Sequence, residues 1–349
     1  MVKSHLLAYK PLMTFAYQKS FDTYVVAALF DALDEPVVAL GDGRIVFPDS
    51  EKEYDAHPNA GILTAVIHPT GLGLITGGDD GRVVWTSKDA GPIELAAHKG
   101  AWIDVIAVAP EGQVIAYATA KKVHVLDLLK KETKVFTHEH SVSDLVFDPK
   151  ARKIYCATYN GVVVWFARID EKQKPTKLFW AGSHTKIAIA PSGEFVVTAM
   201  QENALHGWRL KDSKDMRMGG YPAKIKSMDF FAKGKLLATS GANGAVVWPF
   251  LRANGPMGEE ASEINPLEGS MVSCVAGAAE ETILSAGTED GRVWLAELQS
   301  THVEWIKGEK GAPITALAIS GEANRLVFGD EDGMVYIFQS EAEGTDAGA

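Results

Sequence analysis

What most restricts this chain is a short unit that recurs along it: an apolar run, a tight turn, and a second apolar run ending in an aromatic residue or leucine. It is read in VALGDGRIVF, ending at Phe47, LITGGDDGRVVW at Trp85, IYCATYNGVVVW at Trp165, LATSGANGAVVW at Trp248, LSAGTEDGRVWL at Leu295 and VFGDEDGMVYIF at Phe338. The turn glycines are Gly43, Gly81, Gly161, Gly244, Gly291 and Gly333. Two gaps between them are double length, and each holds a degenerate copy: VIAYATAKKVHVL, ending at Leu126, and FVVTAMQENALHGW, ending at Trp208. Eight copies at a mean spacing of about 41 residues fit the period of a four-stranded repeat unit.

The internal grammar is clearest from Ile62 onward. ILTAVIHP reads as one strand, LITGG as a second and RVVW as a third, with TGLG and DDG as the turns between them. In the DDG turn, Asp hydrogen-bonds nearby backbone and Gly accepts positive φ without penalty, which joins antiparallel strands. A fourth strand fits segments such as Ile93 to Ala97 and Lys177 to Trp180. No such unit covers both of its own faces, so radial stacking around an axis is the expected solution. The expected fold is all-β, a single closed β-propeller over residues 1–340. Eight four-stranded blades are expected, with seven as the alternative because the first set, Tyr24 to Phe47, is the weakest. The last set lacks an outer strand, and Leu12 to Gln18 is expected to supply it. Residues 341–349, acidic and rich in small side chains, are expected to form a disordered tail.

These residues resemble the WD-repeat β-propeller family. In the second unit His57, Thr64, Asp79 or Asp80, and Trp85 match the family's buried hydrogen-bonded set. His98 and His138 occupy the equivalent loops of later units. The resemblance implies a rigid disc that binds other proteins. The chain also departs from the pattern: the fifth unit has no Asp-Gly turn, and the sixth has Tyr221 near the expected histidine.

Composition narrows the function. Hydrophobic residues at 46% and charged residues at 23% indicate a folded chain. A net charge of -11 disfavours nucleic acid and anionic membrane as partners. The longest apolar stretches, such as Val25 to Phe30, are strand-length, and the N-terminus carries no secretory pattern, so a cytoplasmic protein is expected. Cys156 and Cys274 sit in apolar runs, which fits buried, reduced thiols.

Catalytic and metal motifs fail on inspection. GDEDG, Gly329 to Gly333, lacks the bidentate acid a calcium loop needs. GLGLITGG, Gly71 to Gly78, has the wrong spacing for a dinucleotide loop and leads into strands. HEH, His138 to His140, lacks the helical histidine pair of a zinc protease. No cofactor, metal or catalytic residue is expected, and Trp85, Trp165, Trp208 and Trp248 are expected to pack between blades. An enzyme or small-ligand binder at the central channel remains the alternative, and a subunit needed for complex assembly a third reading.

In this architecture the second turn of each unit and the loop into the next inner strand share one face. Asp42, Asp80, Asp290, Asp330 and Asp332 are expected to form an acidic arc there, facing Lys121 and Lys122 across the disc. Trp102 and Tyr221 lie in loops on that face and are expected to anchor a protein or peptide partner, whose basic segment the acids would orient. The function expected is a non-enzymatic scaffold or adaptor.

Overall fold

The structure is a computed structural model that describes residues 15–169, 172–266, 270–300 and 302–340. Among them the chain forms strands almost throughout, with one short 3-10 turn at Pro48–Ser50. The first repeat shows the plan. Val25–Phe30 lies innermost and pairs with Pro36–Leu40, which pairs with Arg44–Phe47, which pairs with Lys52–Asp55 at the outer edge, all antiparallel.

Burial explains why the alternation of a one-faced sheet is missing from these sequences. The second strands Pro36–Leu40, Leu74–Gly78 and Phe195–Met200 are buried at every position, because each sheet is covered on both faces by its neighbours. The outer strands Lys52–Asp55 and Gly91–Ala97 are largely exposed and carry charge or proline, which blunts their free edges. The apolar side chains collect between sheets. Val37, Ile45 and Phe47 of the first repeat, for example, meet Ile62, Leu74 and Val84 of the second.

Each inner strand touches the next around the axis, and Ile314–Ile319 returns against Val25–Phe30. Hydroxyls tie neighbours together: Ser143 Oγ donates to His184 O at 2.6 Å, Ser273 Oγ to Ile314 O at 2.6 Å and Thr315 Oγ1 to Val25 O at 2.7 Å. Outermost on Met334–Gln339 lies Tyr17–Ser20, with Tyr17 opposite Ile337 and Ser20 opposite Met334. This strand starts later than Leu12; residues 1–14, and the tail at 341–349, lie outside the described residues.

Among the described residues the sheets number seven, where eight blades were expected: six of four strands and one of six. The six-stranded sheet carries the fourth and fifth repeats. Its strand Thr176–Ile189 begins at the outer edge of one, beside Val162–Val164, and ends innermost in the other, where His184–Ile189 pairs with Val196–Met200. Elsewhere a loop interrupts that passage. Here Gly182, at φ +117°, takes a positive-φ conformation open to glycine and lets the backbone swing within one continuous strand.

Candidate functional site

One face is assembled by bonds between each second turn and the loop that follows the outer strand. His57 N donates to Gly43 O at 3.1 Å, His98 N to Gly81 O at 2.9 Å, and His138 N to Lys121 O at 2.8 Å. The turn glycine is needed for this approach. At Gly81 φ is +79°, and a Cβ would stand 2.1 Å from His98 O. The two acids of GGDDG therefore belong to a turn that clamps the next loop. Asp79 accepts from Gly61 N at 3.0 Å and Asp80 from Arg82 N at 2.9 Å.

Beneath this turn lies a buried set. His57 Nδ1 is 3.1 Å from both Asp80 oxygens, and its Nε2 is 2.9 Å from Thr76 Oγ1. Burial lowers the His57 pKa against the pull of Asp80, and the ring donates from Nδ1 to the carboxylate. The set expected from sequence needs correction at Thr64 and at Trp85, and of its two acids the structure selects one. Thr64 lies on the inner strand opposite Gly77, and the hydroxyl at the imidazole comes from Thr76; the carboxylate is that of Asp80, not Asp79. Trp85 stands apart, stacking on His68 at 4.3 Å and donating to Leu72 O at 3.0 Å.

The same second-strand position recurs. Thr198 Oγ1 lies 2.7 Å from His184 Nδ1 and Thr239 Oγ1 lies 2.7 Å from Tyr221 OH. The threonines of LITGG, VVTAM and LATSG are the sequence signal that would have found it.

Tyr221 is thereby withdrawn from the surface. It is 8% exposed, and a relay runs from Trp248 Nε1 to Tyr221 OH at 2.7 Å, on to Thr239 Oγ1, and then to Val246 O at 3.2 Å. It takes the place that histidine holds in the second repeat, so its role as a docking anchor is corrected to a structural one. Tyr221→Phe should lower the unfolding free energy by ~1–3 kcal/mol, because the Trp248 donor loses its acceptor. Urea unfolding measures this, and partner binding should not change.

The acids of the arc are mostly engaged. Asp42 is 2.7 Å from Arg44, which also reaches Glu53 at 2.8 Å. Asp80 serves His57 and lies 3.8 Å from Arg82. Asp290 pairs with Arg292 and accepts from Ser270 at 2.7 Å and Thr288 at 2.8 Å; burial opposes ionisation, yet these bonds hold its pKa well below the usual range. Asp330 is 4% exposed and accepts from the backbone N–H of Asp332 and Met334 within its own turn. Asp332 is exposed, and neither it nor Glu331 has an ion pair among the described residues.

Trp102 is 67% exposed. It borders an open cleft of about 850 Å³ between the third and fourth repeats, lined also by Asp104, Lys121, Lys122, Ser141 and Val142. Tyr159 is an exposed aromatic of the fourth repeat.

Nearer the axis, Asp229 accepts from Gly277 N at 2.9 Å, and burial pushes its carboxyl up to about 6. The ordinary value is 3.8, so between these pH values the folded chain binds more protons than the unfolded one, and stability falls as pH rises through the interval. Asp229→Asn should remove that loss, gaining on the wild type as urea unfolding moves from pH 4 to pH 7. A constant difference between the two proteins would contradict it. Cys156 and Cys274 are free and buried, and burial pushes both thiols up.

A family profile described as WD domain, G-beta repeat matches residues 49–85. Among solved structures, the computationally designed Ika8 protein is similar in fold, with a TM-score of 0.72 at 18% identity over 92% of this chain and 98% of that one. No curated protein matches the sequence. The matched repeat contains His57, Thr76, Asp80 and Trp85, and around it runs a ring of small antiparallel sheets: the fold is a β-propeller, and residues 49–85 of it match the WD repeat.

Proposed function

We propose that this protein is a non-enzymatic scaffold or adaptor, acting in the cytoplasm, that holds a protein or peptide across the face formed by the second turns and the inter-repeat loops. WD-repeat propellers generally mediate protein interactions, and the fold alone carries that much. The observation specific to this chain is Trp102, a large aromatic left 67% exposed beside an open cleft. Aromatic side chains of this kind dominate binding energy because they bury much area while few torsions are frozen. The free, buried cysteines fit a reducing compartment.

A basic stretch of the same partner would meet Glu331 and Asp332, since Asp42, Asp80 and Asp290 already hold arginines. The test is affinity capture from native lysate with wild type, Trp102→Ala and Asp332→Lys. Trp102→Ala should weaken a saturable protein partner at least tenfold, with the melting temperature little changed because the side chain is exposed. Asp332→Lys should mainly alter the salt dependence of association. Full retention of every partner by Trp102→Ala would sink the reading.

A further inference from the structure

The third repeat differs from its neighbours in the charge balance of its second turn. In the first, second and seventh repeats a carboxylate in the turn is matched by the arginine that follows it: Asp42 with Arg44, Asp80 with Arg82, Asp290 with Arg292. In the third repeat the turn reads Ala120-Lys121-Lys122, with no acid. Both lysines are exposed, and among the described residues neither has a carboxylate partner. The turn is held from behind, His138 N donating to Lys121 O at 2.8 Å and Val142 N to Ala120 O at 2.9 Å, so the two ammonium groups extend from an anchored backbone. Lys99, in the loop that carries Trp102, is also exposed and has no ion pair among the described residues. Asp104 is the one acidic residue in the cleft lining.

We propose that the cleft beside Trp102 captures an acidic peptide segment of a protein partner, its apolar side chain against the indole and its carboxylates on Lys121 and Lys122. This rests on the interaction-scaffold reading and names the segment that the third and fourth repeats select. Charge complementarity carries it: two lysines without a carboxylate partner among the described residues line the cleft with an exposed aromatic, and a third, Lys99, lies three residues before it, on a chain whose net charge is -11. The same net charge disfavours an extended polyanion such as nucleic acid, which would run on against the acidic turn of the second repeat. A short acidic segment gains the lysines without meeting those acids.

The probe is a library of random dodecapeptides displayed on phage, selected on the folded full-length protein and eluted by competition. Peptides selected on wild type should be enriched in Asp and Glu around an aromatic or aliphatic residue. Lys121→Glu with Lys122→Glu should abolish or invert that enrichment, and Trp102→Ala should remove the selected set. A synthetic acidic peptide from the selection, followed by fluorescence anisotropy, should bind at least tenfold more weakly to either variant, and more weakly to wild type as salt is raised. These substitutions are at exposed positions, and circular dichroism checks the fold. Peptides that depend on Trp102 but are enriched in Lys and Arg would overturn the acidic segment and leave the scaffold reading standing. Selected peptides indifferent to Trp102 and to both lysines would overturn this site. If lysate partners also ignore Trp102, the scaffold reading falls with it.

Discussion

Replacing Trp208 by alanine should cost ~3–5 kcal/mol in unfolding free energy, the range for truncating a fully buried aromatic in a core that relaxes only partly. Trp208 is 2% exposed and packs with Tyr155, Ala157, Leu178 and Val196, so it joins the fourth repeat to the fifth. His206 and His184 lie on its edges, with ring centroids 4.7 and 5.7 Å away. The cavity would open where the two repeats already share one sheet, and no loop is available there to close it. Trp85 holds the corresponding place in the second repeat but is only partly buried, so Trp85→Ala should cost clearly less. Equilibrium urea unfolding of both variants gives the comparison. Equal losses would mean that burial between repeats is not what these tryptophans contribute.

A chain shortened to begin at Phe21 should fail to unfold cooperatively and should aggregate. The strand Tyr17–Ser20 pairs with Ile337 through Met334, and the bonds continue beyond it, Ala16 N to Ile337 O at 2.9 Å and Phe21 N to Gly333 O at 3.0 Å. Phe15 adds ring contacts at 5.9 Å to Phe328 and 5.1 Å to Tyr336. At about 1 kcal/mol for each lost hydrogen bond, the truncation removes several kcal/mol before any packing is counted. It also leaves Met334–Gln339 as an open edge, a template for pairing with another chain. Size-exclusion chromatography and calorimetry of the truncated chain read both effects, and a synthetic peptide of residues 15–21 should partly restore the transition. An unchanged melting temperature in a monomeric product would show that closure does not depend on this strand.

Much of this architecture was legible because repetition multiplies weak local signals. A single Asp-Gly turn says little, whereas turn glycines recurring at Gly43, Gly81, Gly291 and Gly333 mark where backbone must run at positive φ, and it does so at all four. The loop histidines were legible in the same way, His57 and His138 each reaching a buried partner. Their partners were less so. Choosing between Thr64 and Thr76 depends on which strand faces the imidazole across the gap between repeats, and two threonines on adjacent strands look alike in sequence. Tyr221 was misread for a related reason: an aromatic in a loop is a docking anchor or a buried donor according to what stands behind it, here Thr239 and Trp248.

Sequence by itself determined the strand grammar, the turns, the face on which turns and loops meet, and the apolar runs that need neighbours on both sides. Those follow from local backbone preference and from burial repeated at a fixed period. Tertiary structure alone decided that Thr176–Ile189 crosses from one repeat to the next and merges two units into one sheet. It also decided which charges are spent. Asp42, Asp80 and Asp290 are engaged by arginines two residues on, while Lys121 and Lys122 face solvent beside Trp102 without a carboxylate partner among the described residues. The physical reason is that charge pairing depends on distances of a few ångströms between side chains, which composition and spacing along the chain do not set.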